Sequence, residues 1–102
     1  MYTKINMQTA KSMLDVDPNI IVIDVRTQEE YEGGHIPGSI MISYEEIPIK
    51  VPRLIRKRDA KIFVYCSSGF RSKIASLSLI KLGYTNVFDL EAISGWRYPL
   101  AK

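Results

Sequence analysis

The 102-residue chain holds one cysteine, one histidine and one tryptophan, and each scarcity excludes something. A lone cysteine, Cys66, cannot form an intramolecular disulfide, so no disulfide framework holds the fold. With His35 as the only histidine there is no Cys/His set at zinc spacing, and neither a metal nor any other cofactor is expected. The opening MYTKINMQTAKSML lacks both the charged-then-apolar pattern of a secretory signal and an apolar run long enough to cross a bilayer. A cytoplasmic protein without a membrane partner is therefore expected. No internal repeat, low-complexity tract or Gly/Ser linker interrupts the chain, so residues 1–102 are expected to form a single domain.

What is present is the composition of an ordinary soluble domain, 46% hydrophobic and 25% charged, long enough for one core and one small site. The net charge is +3, and much of the excess lies in RLIRKRDAK, Arg53 to Lys61. No aromatic residues interleave with these charges as a single-strand binding platform requires, so the stretch reads as a solvated face and no nucleic-acid partner is expected.

Two short apolar runs, IIVID at Ile20 to Asp24 and KIFVY at Lys61 to Tyr65, are rich in β-branched and aromatic residues and do not alternate. That pattern suits strands buried on both faces of a parallel sheet. Each is followed by a helical pattern. In TQEEYEGG, Thr27 and Glu30 fit a capping box and Gly33 or Gly34 supplies the left-handed residue that ends a short helix. In SKIASLSLIKLG, Ile74, Ala75, Leu77, Leu79, Ile80 and Leu82 form a broad apolar stripe that stops at Gly83. NVFDL, Asn86 to Leu90, reads as another strand, and YTKIN as one more, with Asn6 capping the helix MQTAKSML. Pro48 and Pro52 limit YEEIPIKVPRLI to a short helix or irregular turn. Strands alternating with helices predict an α/β sandwich with helices on both faces of a mostly parallel sheet.

In such sheets ligands bind beyond the carboxyl ends of the strands, where both Cys66 and Asp24 fall. A lone cysteine beside apolar residues is by default a packed thiol. CSSGFRS argues otherwise. A short glycine-containing loop of small residues leading into a helix turns successive N–H groups inward as an anion cradle. Gly69 permits a backbone angle most residues resist, and Arg71 adds a fixed charge on a forked donor set. A helix terminus alone contributes about 1 kcal/mol, so loop donors and Arg71 are needed to favour the thiolate substantially. No histidine base is then required.

Three motifs in order resemble those of the rhodanese family, and the resemblance covers nearly the whole chain. IDVRTQEEYEGGHIPGSI, Ile23 to Ile40, is similar to the first signature, Asp-x-Arg followed by Gly-His-Ile-Pro-Gly-Ala. CSSGFRS is similar to the active loop of single-domain members, Cys66 opening a frame closed by Arg71. LEAISGW, Leu90 to Trp96, stands where the family carries Leu-Glu-Gly-Gly-Ile and a later tryptophan. Ser39 replaces an alanine, Ala92 stands at a glycine position, and that last segment is one residue shorter, so its turn is expected to differ.

The resemblance implies a rhodanese-like three-layer sandwich with a five-stranded sheet. It also implies a sulfurtransferase in which Cys66 takes a sulfane sulfur from a small anionic donor such as thiosulfate, becomes a persulfide, and passes the sulfur to a thiol, a protein acceptor or cyanide. The physical roles follow from the residues. Cys66 is the nucleophile, the N–H groups from Ser67, Ser68 and Gly69 through Phe70 and Arg71 hold developing negative charge, and Arg71 binds the anionic donor. Phe70 is a candidate pocket wall and Ser72 a helix-start residue. Asp24 and Arg26 read first as structural, with support of the active loop, or an Arg26–Glu30 pair, as the functional alternative. His35, in GGHIPGS, reads as part of a turn, and Trp96 as a packed anchor.

Two rivals remain. Cysteine phosphatases, and an arsenate reductase of the same fold, also place a thiolate in a loop closed by arginine, but their loops hold one more residue than Ser67, Ser68, Gly69 and Phe70, and Tyr65 replaces their histidine before the cysteine. A non-catalytic binding module is the second rival, and retention of Cys66, Gly69 and Arg71 argues against it. Rhodaneses that prefer thiosulfate often carry basic residues directly after the cysteine, where this chain has the neutral Ser67 and Ser68, so the resemblance implies modest turnover of thiosulfate, with a persulfide as the alternative donor.

Overall fold

The apolar runs become the centre of a five-stranded sheet. The computed structural model describes residues 1–102, with β1 at Thr3–Lys4, α1 at Met7–Val16, β2 at Ile21–Asp24, α2 at Gln28–Glu32, β3 at Ile40–Met41, α3 at Ile47–Leu54, β4 at Lys61–Cys66, α4 at Phe70–Lys81 and β5 at Asn86–Ala92. The strand order is β1-β5-β4-β2-β3, and every pairing is parallel. Ile62, Val64 and Cys66 of β4 join one core with α3 and α4, including Val51, Ala75 and Leu79, while Phe63 and Tyr65 join a second with Met7 and Ala10 of α1. The sheet is thus covered on both faces, giving the three-layer sandwich expected. No helix is long and apolar enough to cross a membrane.

Local signals explain most element boundaries. The Asn6 side chain accepts the Thr9 N–H at 2.8 Å and starts α1. Thr27 and Glu30 form the reciprocal capping box of α2. Gly34, at φ +143°, takes the positive angle after that helix, whereas Gly33 stays right-handed. α3 forms despite two prolines. Pro48 sits in its first turn, where a missing N–H costs nothing, and the penalty of about 3 kcal/mol at Pro52 is offset by full burial of Ile47 and Val51, each contributing about 1.5–3 kcal/mol.

Two features depart from the sequence reading. β3 is a two-residue edge strand that no periodicity announces; it forms because Ile40 and Met41 register against Ile23 and Asp24. The stripe of α4 is narrower than expected, since Leu77 is exposed and the buried face is Ser72, Ala75, Ser76 and Leu79. These four fall at helical spacing, and their small members allow the helix to lie close on β4 and β5.

Candidate active-site loop

β4 ends at Cys66, whose side chain is buried, and the chain turns at Gly69, φ +96°, into α4. Gly69 is the N-cap of α4 but has no side chain with which to cap it. The cysteine sulfur takes that place. Cys66 Sγ accepts the Gly69 N–H at 2.9 Å and the Ser72 N–H at 3.3 Å. Two backbone dipoles at a helix N-terminus therefore point at the atom that would carry negative charge. The N–H groups of Ser67 and Ser68 make no hydrogen bond within the chain and remain as further donors. Ser72 Oγ donates to the Gly69 carbonyl at 3.2 Å, bracing the first turn. Ser72 is thus a helix-start residue, although α4 begins two residues earlier than its apolar pattern.

Arg71 does not stand free. Its Nη1 and Nη2 donate to Glu30 Oε1 and Oε2 at 2.8 and 3.0 Å, and Ser67 Oγ donates to Glu30 Oε2 at 2.8 Å. The Arg71 guanidinium, followed by the Thr27 backbone N–H, holds the Glu30 carboxyl well below the usual carboxylate range. Glu30 is read from the sequence as a capping residue, and its second task is invisible there because its partner lies 41 positions away.

The alternative pairing of Arg26 with Glu30 does not form. Arg26 Nε and Nη2 instead make a two-point contact with Asp24, the closest approach being Nη2 to Oδ2 at 2.7 Å, and Nη2 also donates to the Gly34 carbonyl at 2.7 Å. Both side chains are buried. This pair joins the end of β2 to the segment after α2, and the Arg26 guanidinium lies 5.6 Å from the ring centroid of Tyr65, the residue before Cys66. His35 stacks on Tyr31 at 3.7 Å between ring centroids, and its Nδ1 lies 2.8 Å from the Tyr31 carbonyl, a structural placement. Trp96 is packed, its Nε1–H donating to Pro99 at 3.2 Å.

Phe70 is 68% exposed, and none of the four cavities of the chain opens onto it or onto Cys66. Phe70 therefore lines no closed pocket in the free chain. Ser68 is also exposed. Behind the loop, the ladder slips by one residue, so that Val64 pairs with Asp89 but Tyr65 with Glu91. Glu91 takes φ +63°, and Ala92, at the position of a family glycine, simply extends β5 opposite Cys66. A Cβ on Gly69 would stand 3.6 Å from Glu91 Cβ, so the slipped strand forms the back of the loop.

Two buried polar groups escape the sequence reading. Tyr65, in the strand, lends its hydroxyl to the Ile36 N–H at 3.0 Å and lies 3.2 Å from Ser39 Oγ. Asp89, almost wholly buried, accepts the Glu91 N–H at 2.8 Å through Oδ1, while Oδ2 has no partner. Burial pushes the Asp89 carboxyl up from its ordinary range.

A parallel α/β sandwich with a cysteine at a strand end, cradled by the N-terminus of the next helix, defines a class of cysteine-loop domains. Within that class the match is specific. The family model described as the rhodanese-like domain fits residues 6–97, and the chain belongs to that family. Solved structures agree. A rhodanese-related protein from Thermoplasma volcanium superposes with a TM-score of 0.83 at 31% identity, over 98% of each chain. A rhodanese with anions from E. coli does so with a TM-score of 0.77 at 29% identity, over 81% of this chain and 98% of that one. Among curated proteins, a tRNA uridine(34) hydroxylase of Erwinia tasmaniensis is 36% identical over 78% of this chain and 24% of its own length. The "Putative sulfur carrier protein YrkF" of Bacillus subtilis is 32% identical over 85% of this chain and 46% of its own. The chain thus spans about a quarter to a half of these curated relatives.

Proposed function

We propose that the chain is a sulfurtransferase that carries a sulfane sulfur as a persulfide on Cys66. The observation that carries this reading is the pair of backbone N–H groups, from Gly69 and Ser72, directed at Cys66 Sγ at 2.9 and 3.3 Å. Hydrogen bonds to a charged acceptor are about twice as strong as neutral ones, so these two donors act most strongly on the negative charge that sulfur carries during transfer.

In the first half-reaction the Cys66 thiolate attacks the outer sulfur of a donor R–S–S⁻ or thiosulfate. The bond between that sulfur and the rest of the donor breaks, its electron pair leaves with the thiolate or sulfite, and the sulfur remains bonded to Cys66. The persulfide carries one negative charge, for which the N–H groups of Ser67 and Ser68, unpaired within the chain, are candidate donors. In the second, an acceptor thiolate attacks the terminal sulfur and Cys66 departs as thiolate. Atoms and charge balance without a metal or redox cofactor. An open loop with an exposed Phe70 suits an acceptor thiol presented by a protein as well as a small one. The short loop also favours this chemistry over phosphate-ester hydrolysis, whose oxygens demand a wider ring of donors.

The test is the intact mass of the reduced protein, as wild type and Cys66→Ser, after incubation with thiosulfate and separately with glutathione persulfide. One added sulfur, removed by cyanide and absent from the variant, is the expected result. No added sulfur from either donor would move the reading to a non-catalytic rhodanese-fold module.

A further inference from the structure

We infer that Glu30 selects the sulfur donor: clasped onto Arg71 and Ser67, its carboxylate cancels the single fixed positive charge of the Cys66 loop and biases the site against doubly charged donors. This rests on the sulfurtransferase reading above.

Between Cys66 and Ser72 the only charged side chain is Arg71. An anion arriving at Cys66 would use that charge, but both terminal nitrogens of Arg71 are already held by Glu30 at 2.8 and 3.0 Å. The carboxylate is fixed from the other side as well. Glu30 Oε1 accepts the Thr27 N–H and Oγ1–H, each at 3.0 Å, and Oε2 accepts Ser67 Oγ–H at 2.8 Å. Ser67 is the residue next to the nucleophile, so Glu30 reaches the loop at its first position as well as at the arginine that closes it.

The pair is two-thirds or more covered, with side-chain exposures of 24% for Arg71 and 33% for Glu30, so salt screens it less than a free surface pair. On the other flank Gly69 packs against Glu91, whose only cation is Lys4 at 4.0 Å, both half exposed. The arginine that closes the loop is therefore already neutralised, by Glu30. A thiosulfate dianion has to displace a two-point carboxylate contact to reach Arg71, while its charge is repelled by Glu30. A donor with one charge fewer meets about half that penalty.

The test uses two donors that differ in charge but transfer the same atom. Thiosulfate is a dianion that leaves as sulfite; methanethiosulfonate is a monoanion that leaves as methanesulfinate. In each case Cys66 thiolate forms the new S–S bond and the donor's own sulfur–sulfur bond breaks with its electron pair. Glu30→Gln removes the charge while glutamine still serves the capping box. The expected result is a rise in kcat/KM of about tenfold for thiosulfate and about threefold for methanethiosulfonate, with the gap narrowing as salt is raised. Thr27→Val, which loses the cap but keeps the Glu30 charge, should leave the ratio between the donors within about twofold of wild type. Equal changes for the two donors, or a fall for thiosulfate, would overturn the role of Glu30 while leaving sulfur transfer intact. Absence of sulfur loading from both donors in folded wild type and variant would overturn the sulfurtransferase reading, and this inference with it.

Discussion

The Tyr65 hydroxyl accepts the Ile36 N–H at 3.0 Å, so the residue immediately before Cys66 holds the turn that follows His35. Tyr65 is fully buried, and burial pushes its phenol further above its ordinary range, so it stays neutral at every working pH. Tyr65→Phe leaves the Ile36 N–H buried without a partner. The expected cost is about 1–3 kcal/mol in urea unfolding, with sulfur loading at Cys66 within about threefold of wild type. A loss of loading with unchanged stability would show that the phenol acts in the reaction.

The Asp24–Arg26 pair predicts a larger penalty. Both partners are buried, so Asp24→Ala strands a guanidinium inside the fold and should lower stability by about 3–5 kcal/mol. Replacing both residues with apolar ones should restore much of the loss, measured as the unfolding midpoint. A single variant as stable as wild type would mean that solvent reaches Arg26.

Gly69 is the hinge of the sulfur cradle. At φ +96° any side chain strains the backbone, so Gly69→Ala should cost about 1–2 kcal/mol and shift the N–H that reaches Cys66 Sγ. Loading of sulfur onto Cys66 is expected to slow about tenfold or more, a loss of at least one hydrogen bond to a charged acceptor. Equal loading rates would separate the left-handed turn from the chemistry.

Asp89 makes stability depend on pH. Its folded-state carboxyl titrates above the unfolded one because burial disfavours the charged form. Its contribution is therefore fully present below about pH 4, the unfolded value, and is lost as pH rises through the higher folded value. Asp89→Asn cannot ionise. Its stability relative to wild type should rise as pH is raised above about 4. Urea midpoints measured across that range check this, and a difference that does not change with pH would mean that Asp89 is charged at low cost.

Much of the fold is legible along the chain because its causes are local. Asn6 caps α1, Thr27 and Glu30 box α2, and the unbroken apolar runs of β2 and β4 announce strands covered on both sides. Cys66 before Gly69 and a helix likewise marks the loop, since a strand end, a left-handed glycine and a helix start are consecutive in sequence.

What the chain by itself determined, then, is the order of elements and the place of the cysteine, through hydrogen-bonding caps and apolar periodicity that act within a few residues. Tertiary structure alone decided which charges meet. Arg71 takes Glu30 from 41 positions away, while Arg26, far nearer to Glu30 in sequence, is held by its local neighbour Asp24. It also decided that two residues at Ile40–Met41 make a strand and that Asp89 is buried with one oxygen unpaired. These outcomes depend on how strands register and how closely α4 packs on them. A charge finds its partner only after the sheet has brought distant segments within a few ångströms, where desolvation and Coulomb energy first become large enough to choose.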